Sequence, residues 1–318
     1  MNAVIPAEGA LLDRVLTATH STCDAGLTRQ AYGRFHTARM KTAWGNRAQH
    51  AFALVEGADL IASALQYDLP GVLDGRTMRI CGIGSLFTEP AHRGRGHARM
   101  LVETLLDAAA RQGAEMALIF ARSGARTLDG FETIRLHDVV VDVVDTPRPG
   151  APMTLVRGGE ERDLAALVAM GRVRAAPMRF HLDRDTDVVE YAITKKRLLA
   201  GLGPAEARHL HFFIAEEGIT AAAYAVVSIA GARWTIEECG DRDPSGARVG
   251  ALLQALIARE PAERRPIIGG WLPPHFVPPQ VTVTMTPSAD VMMLRSLTST
   301  QSPRLTPDDV LYWRSDLF

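Results

Sequence analysis

Between Arg93 and Ala98 the chain reads Arg-Gly-Arg-Gly-His-Ala, with Pro90 just before it and an amphipathic run just after. A turn of this composition suits one kind of chemistry. The N–H groups that open a helix lack internal partners, and the helix dipole places partial positive charge beside them. Gly94 and Gly96 let the backbone approach a ligand closely, and Arg93, Arg95 and Arg99 add cationic charge. Together they form a seat for a pyrophosphate, in which each charge-assisted hydrogen bond is worth ~1.5–3 kcal/mol. The P-loop pattern G-x-x-x-x-G-K-[ST] and the dinucleotide fingerprint G-x-G-x-x-G are both absent from this turn. Other reactive residues carry less. Cys81 lies inside an apolar run with no histidine near it and reads as a core thiol. His209 and His211 have metal-like spacing without acidic partners, so no metal is expected. Arg34, Phe35, Arg39, Lys41, Trp44 and Arg47 form a basic-aromatic segment too isolated for a nucleic-acid surface.

The elements that must hold the turn are legible around it. Residues 79–88 form an apolar strand stopped by Pro90. Leu101, Val102, Leu105, Leu106 and Ala109 repeat at helical spacing, opposite Glu103, Asp107 and Arg111, and Gly113 supplies the stop. Residues 116–121 read as a buried strand, parallel to the first because a helix crosses between them. Upstream, residues 52–55 and 60–65 read as strands around a turn at 56–59. Downstream, Gly130-Phe131-Glu132 leads into a strand over 139–144. The second half repeats this order: a hairpin of 212–215 with 221–229, a strand over 234–239, and a helix carrying Val249, Leu252, Leu253, Leu256 and Ile257. Helices are also expected over 160–170 and 190–200, and a strand over 281–285. Thr306-Pro307-Asp308-Asp309 has the composition of a helix start. Tyr312, Trp313 and Phe318 mark a tail that docks rather than one that floats.

Arg93-x-x-Gly96-x-Ala98, following a strand and a proline, resembles the acyl-CoA motif [QR]-x-x-G-x-[GA] of the GNAT superfamily of N-acetyltransferases. The helix, the next strand and Gly130-Phe131-Glu132 continue the resemblance over about residues 50–145. The resemblance implies an α/β fold of two GNAT-like mixed-sheet domains in tandem, the second degenerate, with a short C-terminal tail. It implies that acetyl-CoA is the cofactor, with the backbone of Leu86, Phe87 and Thr88 along the pantetheine arm. Arg93, Gly94, Arg95, Gly96, His97 and Ala98 would hold the pyrophosphate. Ser123 would stand at the start of a helix after strand 116–121, beside the cofactor. The amine would attack the thioester directly, with a backbone N–H at Leu86 steadying the oxyanion. Where the family often places an acidic Tyr, this chain has Arg126, carried over as a cofactor contact. Strand 79–88 holds no carboxylate, and Glu89, beside Pro90, is expected to face solvent. The tandem arrangement with an aromatic tail is similar to the enhanced intracellular survival family, in which the chain's own terminal carboxylate serves as base. Phe318 would supply it here; sealing an apolar seam is the alternative role for the tail.

In the second half, Asp241 and Asp243 fall where phosphates would bind and Pro244 removes a donor, so that half is expected to keep the fold without the cofactor. The expected domains are 1–145, the Pro/Gly linker 146–150, the degenerate domain 151–285, and a C-terminal segment 286–318 that docks near the active site. Over 318 residues, Lys+Arg (35) balances Asp+Glu (36), which argues against a nucleic-acid partner. No apolar run reaches membrane-spanning length. The opening residues lack a signal-peptide core, and three scattered cysteines fit a reducing compartment, so a cytoplasmic location is expected. The acceptor is a small-molecule amine or a protein lysine, and homo-oligomerisation stays open. The rival readings are a non-catalytic acyl-CoA-binding sensor and a nucleotide-binding module.

Overall fold

The computed structural model describes residues 2–124, 128–144, 154–204, 207–299 and 301–316. They fall into two compact units, Met1–Leu136 with Ala289–Thr306, and His137–Ser288 with Pro307–Leu317. The expected linker 146–150 lies outside the described residues.

The first unit opens with β1 (Asn2–Pro6) and the helices α1 (Gly9–Cys23), α2 (Arg29–Met40) and α3 (Ala43–Ala48). Thr28 caps α2 by accepting from the Ala31 N–H, and Thr42 caps α3 by accepting from the Gly45 N–H. The basic-aromatic segment is therefore helical, and its two faces diverge. Phe35, Arg39 and Trp44 are buried, whereas Arg34 and Lys41 line a surface hollow. A meander follows: β2 (Gln49–Glu56), β3 (Asp59–Leu73) and β4 (Arg76–Thr88). The chain then crosses through α4 (His97–Arg111) to β5 (Met116–Arg122), which pairs parallel to β4 as the sequence predicts. The apolar face of α4 buries Leu101, Val102, Leu105, Leu106 and Ala109 against Leu54, Ile61, Ile83 and Ile119. Each large side chain withdrawn from water there is worth ~1.5–3 kcal/mol. Phe131 of the Gly-Phe pair joins the same core, with the Arg295 guanidinium over its ring at 5.8 Å.

The strand beside β5 comes from far along the chain. Residues 290–296 of β13 (Val281–Ser296) pair antiparallel with β5, from Asp290↔Arg122 to Ser296↔Met116. The strand nearer in sequence, β6 (Glu132–Val143), pairs Val139–Val141 with β12 (Ile267–Gly270) in the second unit.

That unit repeats the order of the first: β9 (His209–Glu217), β10 (Thr220–Ala230), β11 (Arg233–Asp241), α7 (Ala247–Ile257), then β12 parallel to β11. β7 (Leu155–Gly158) borders β9. α5 (Leu164–Ala175), β8 (Phe180–Leu182) and α6 (Thr186–Leu202) complete it, with Leu167, Val189 and Ile193 packed on Ile214 and Val226. The helix expected from residue 160 starts at Leu164, because Glu160 and Asp163 cap each other's backbone across a tighter 3-10 turn. The tail also departs from expectation. Pro307–Asp309 and Arg314–Asp316 form single 3-10 turns around β14 (Val310–Leu311), which pairs with β8. Of the tail's aromatic residues, Tyr312 and Trp313 pack on Trp271, at 4.4 Å and 5.5 Å between ring centroids.

Candidate functional site

β4 pairs with β3 along its length but with β5 only from Ile80 to Ile83. Beyond Ile83 the two parallel strands part, so the β4 backbone from Gly84 to Thr88 has no pairing with β5. At the parting point β4 carries a bulge, two residues (Ser85 and Leu86) standing against one on β3. Ser85 sits at φ +49°, a left-handed conformation costing a serine about 1–2 kcal/mol. Bulges of this kind re-aim the strand that follows. Here that strand is Leu86, Phe87 and Thr88, the residues assigned to a pantetheine arm. The Leu86 side chain packs against the core.

The chain then passes a 3-10 turn at Pro90–His92 and enters the glycine turn. Gly94 (φ +76°) and Gly96 (φ +81°) both take conformations that other residues resist. A Cβ at either would meet nothing within 4 Å, so the concavity stands open. The first helical bond of α4 runs from the Met100 N–H to the Gly96 carbonyl. Among the described residues, the N–H groups of Gly94, Arg95, Gly96, His97, Ala98 and Arg99 find no acceptor. The cations are less uniform than the sequence implies. Arg93 donates through Nε to the Thr88 carbonyl at 3.1 Å, which braces the turn against the strand end. Arg99 pairs with Asp129 at 2.7 Å, both side chains largely in water, a contact worth ~0–1 kcal/mol. Arg95 is exposed. His97 packs its ring edge against His92, 5.9 Å between centroids.

The second unit contains the same device in closed form. Gly246 precedes α7 at φ +76°, ψ 15°, matching Gly96 before α4 at φ +81°, ψ 4°. Here the helix start already holds an anion, the chain's own Asp241. Its Oδ2 accepts from the N–H groups of Arg248 (2.8 Å) and Val249 (2.9 Å), and its Oδ1 from that of Asp243 (2.8 Å). The space over Gly246 is filled too, a Cβ there falling 2.6 Å from the Phe276 ring. The sequence predicts repulsion of phosphate by Asp241 and Asp243; the structure shows Asp241 bonded to the backbone N–H groups of the helix start. Asp241→Ala is expected to destabilise the protein by about 2–4 kcal/mol, since it leaves several donors at a buried helix start without an acceptor. Chemical denaturation measures this, and a loss under 0.5 kcal/mol would refute the plug.

The remaining assignments divide. Ser123 is exposed and its N–H donates to the Ala289 carbonyl at 2.7 Å; residues 125–127, over which the expected helix would run, lie outside the described residues. Arg126 and Phe318 lie outside the described residues. Glu89 is half-buried and lines a hollow with Asp13, Arg14 and His92, not fully turned to solvent. Cys81 is a core thiol, burial first and Asp68 second pushing its pKa up to about 12. His209 and His211 face the same side, 6.4 Å apart, and no metal-ligating cluster occurs among the described residues. No helix among those residues is long and apolar enough to cross a membrane. The β4 bulge and the Asp241 plug carry no sequence signal beyond the glycines and aspartates already noted.

Residues 15–128 match the family model described as the acetyltransferase (GNAT) domain. No curated protein matches the chain. Solved structures share its fold across both units. A GCN5-related N-acetyltransferase from Kribbella flavida aligns at TM-score 0.67 and 18% identity, covering 94% of this chain and 71% of that one. A probable N-acyltransferase from Enterococcus faecalis aligns at 0.68 and 13%, covering 94% and 73%. Eis1 from Mycobacterium abscessus, of the enhanced intracellular survival type, aligns at 0.58 and 14%, covering 93% and 73%. Yeast N-myristoyltransferase, solved with bound myristoyl-CoA, aligns at 0.52 and 10%, covering 92% and 82%.

Proposed function

We propose that this chain, which carries a GNAT acetyltransferase domain in its first half, is an acetyl-CoA-dependent N-acetyltransferase whose first unit alone binds the cofactor. One observation carries the reading: two matched glycine turns, one open and lined with unclaimed amide donors, the other closed by Asp241. The Arg93–Ala98 turn holds the diphosphate. The parted edge of β4 receives the pantetheine arm, and Arg126 and the Ser123 hydroxyl lie along the cofactor. The amine nitrogen forms its bond to the thioester carbon while a backbone N–H at Leu86 receives the developing oxyanion. The C–S bond then breaks and the thiolate leaves; the proton shed by nitrogen passes to a base, which the proposal places at the Phe318 carboxylate.

The decisive experiment titrates the full chain with acetyl-CoA, ATP and NAD, then follows thiol release with a panel of amines. Binding of CoA with amine-dependent thiol release is expected. CoA binding without turnover would favour an acyl-CoA sensor, and protection by ATP or NAD alone a nucleotide module. Removing Leu317 and Phe318 is expected to lower turnover by at least ~100-fold, the lower range for a lost general base, with CoA affinity unchanged. Unchanged turnover would reject that base.

A further inference from the structure

On the α1 and α2 side of the first sheet lies a cavity of about 550 Å³, none of whose lining belongs to the Arg93–Ala98 turn. It has the size of a small-molecule site. Leu12 and Leu16 of α1 and Leu65 of β3 give it an apolar wall. Leu65 pairs with Gly84, so the cavity floor lies one strand from the β4 bulge at Ser85 and Leu86. Two exposed residues of opposite charge, Glu8 and Lys41, border the cavity and offset each other. Its buried polar side chains are His36 and Gln49.

His36 decides what this cavity can recognise. Its Nδ1 lies 3.0 Å from Nη2 of Arg39. A guanidinium only donates, so Nδ1 accepts and the ring proton sits on Nε2. The ring also stays neutral, since burial first and Arg39 second lower its pKa to about 2. The remaining polar atom of the ring is therefore a fixed N–H donor, matched by an oxygen acceptor and unsuited to an ammonium.

We propose that this cavity holds the non-reacting end of the acceptor and selects an apolar chain or ring that ends in a carboxylate or carbonyl oxygen. The assignment rests on the transferase reading for its role, while the binding preference stands by itself. It separates an amino-acid-like or acylated amine from a polycationic one.

The test titrates the full chain with hexanoate and with hexylamine by ligand-observed NMR, and with CoA in parallel samples. Hexanoate is expected to bind at least ~10-fold more tightly than hexylamine, a difference of one good hydrogen bond. His36→Phe should erase that preference. Leu12→Trp, which fills the cavity, should weaken hexanoate at least ~10-fold and leave CoA affinity within ~2-fold. No binding of hexanoate to the native chain, or equal binding of hexylamine, overturns the proposal. So does hexanoate binding that Leu12→Trp leaves unchanged. If CoA binds and hexanoate does not, the cavity assignment fails and the transferase reading stands. If hexanoate binds selectively and CoA does not, the site survives as a ligand pocket and the transferase reading fails.

Discussion

Gly96→Val is expected to weaken CoA binding by at least ~100-fold, the equivalent of losing one or two charge-assisted bonds to phosphate. Gly96 holds φ +81° with open space where a Cβ would go. The substitution therefore meets no packed atom, and its penalty is conformational, about 1–2 kcal/mol or more for a β-branched residue. Valine relieves that strain by rotating the backbone, which turns the amides of His97 and Ala98 away from a shared focus. Gly246→Val in the second unit makes the same change in a different setting. Its Cβ would lie 2.6 Å from Phe276 and 3.2 Å from Pro278, so overpacking adds about 1–3 kcal/mol to the backbone strain. That variant should lose stability and keep its CoA affinity. Calorimetric titration with CoA and thermal melts of both variants read out the contrast. Retained CoA affinity in Gly96→Val would remove the basis for the cofactor site.

Arg184→Met is expected to destabilise the protein by about 3–5 kcal/mol, the range for breaking a buried ion pair. Arg184 donates through Nη2 to Glu238 at 2.8 Å and through Nε approaches Asp316 at 3.2 Å, with both carboxylates nearly sealed from water. The rest of the cluster is also hydrogen-bonded. The Tyr224 hydroxyl donates to Glu238 at 2.8 Å, and burial followed by Glu238 pushes its phenol pKa well up, keeping it a donor. The Ser315 hydroxyl donates to Glu238 at 3.0 Å, and the Trp313 N–H to Asp316 at 3.0 Å. Methionine would fill the volume and leave two buried carboxylates facing each other. The tail from Val310 to Asp316 should then detach, exposing Trp313, which is now 2% exposed. A red-shifted tryptophan emission and a lower urea midpoint are the expected signs. A midpoint within error of the native one would show that the cluster does not hold the tail.

What could be read from the sequence was local. Pro90, Gly94 and Gly96 mark the turn because their backbone preferences act within a few residues, and Leu101, Val102, Leu105 and Leu106 mark α4 because helical periodicity is a short-range pattern. The hairpin over β9 and β10 and the stripe of α7 are legible for the same reason. Other features had no such signal. α1 begins at Gly9 without a side-chain cap, and the bulge at Ser85 is set by how β3 and β4 pair, not by the serine itself. Asp241 is visibly in the way of a phosphate, but only folding shows it bonded to Arg248 and Val249.

The amino-acid sequence alone determined that a strand, a glycine turn and an amphipathic helix would follow one another, and that a second copy of this order would carry aspartates at its turn. Tertiary structure decided which strands became neighbours. Val139–Val141 of β6 and Val291–Leu294 of β13 are both continuous apolar runs, and such a run marks a buried strand without naming its partner. So the pairing of β13 with β5, and of β6 with β12, is set by long-range packing. The same holds for Arg184, whose partners Glu238 and Asp316 are distant along the chain. Only the folded core brings them together, and only there does the removal of water make their charges count.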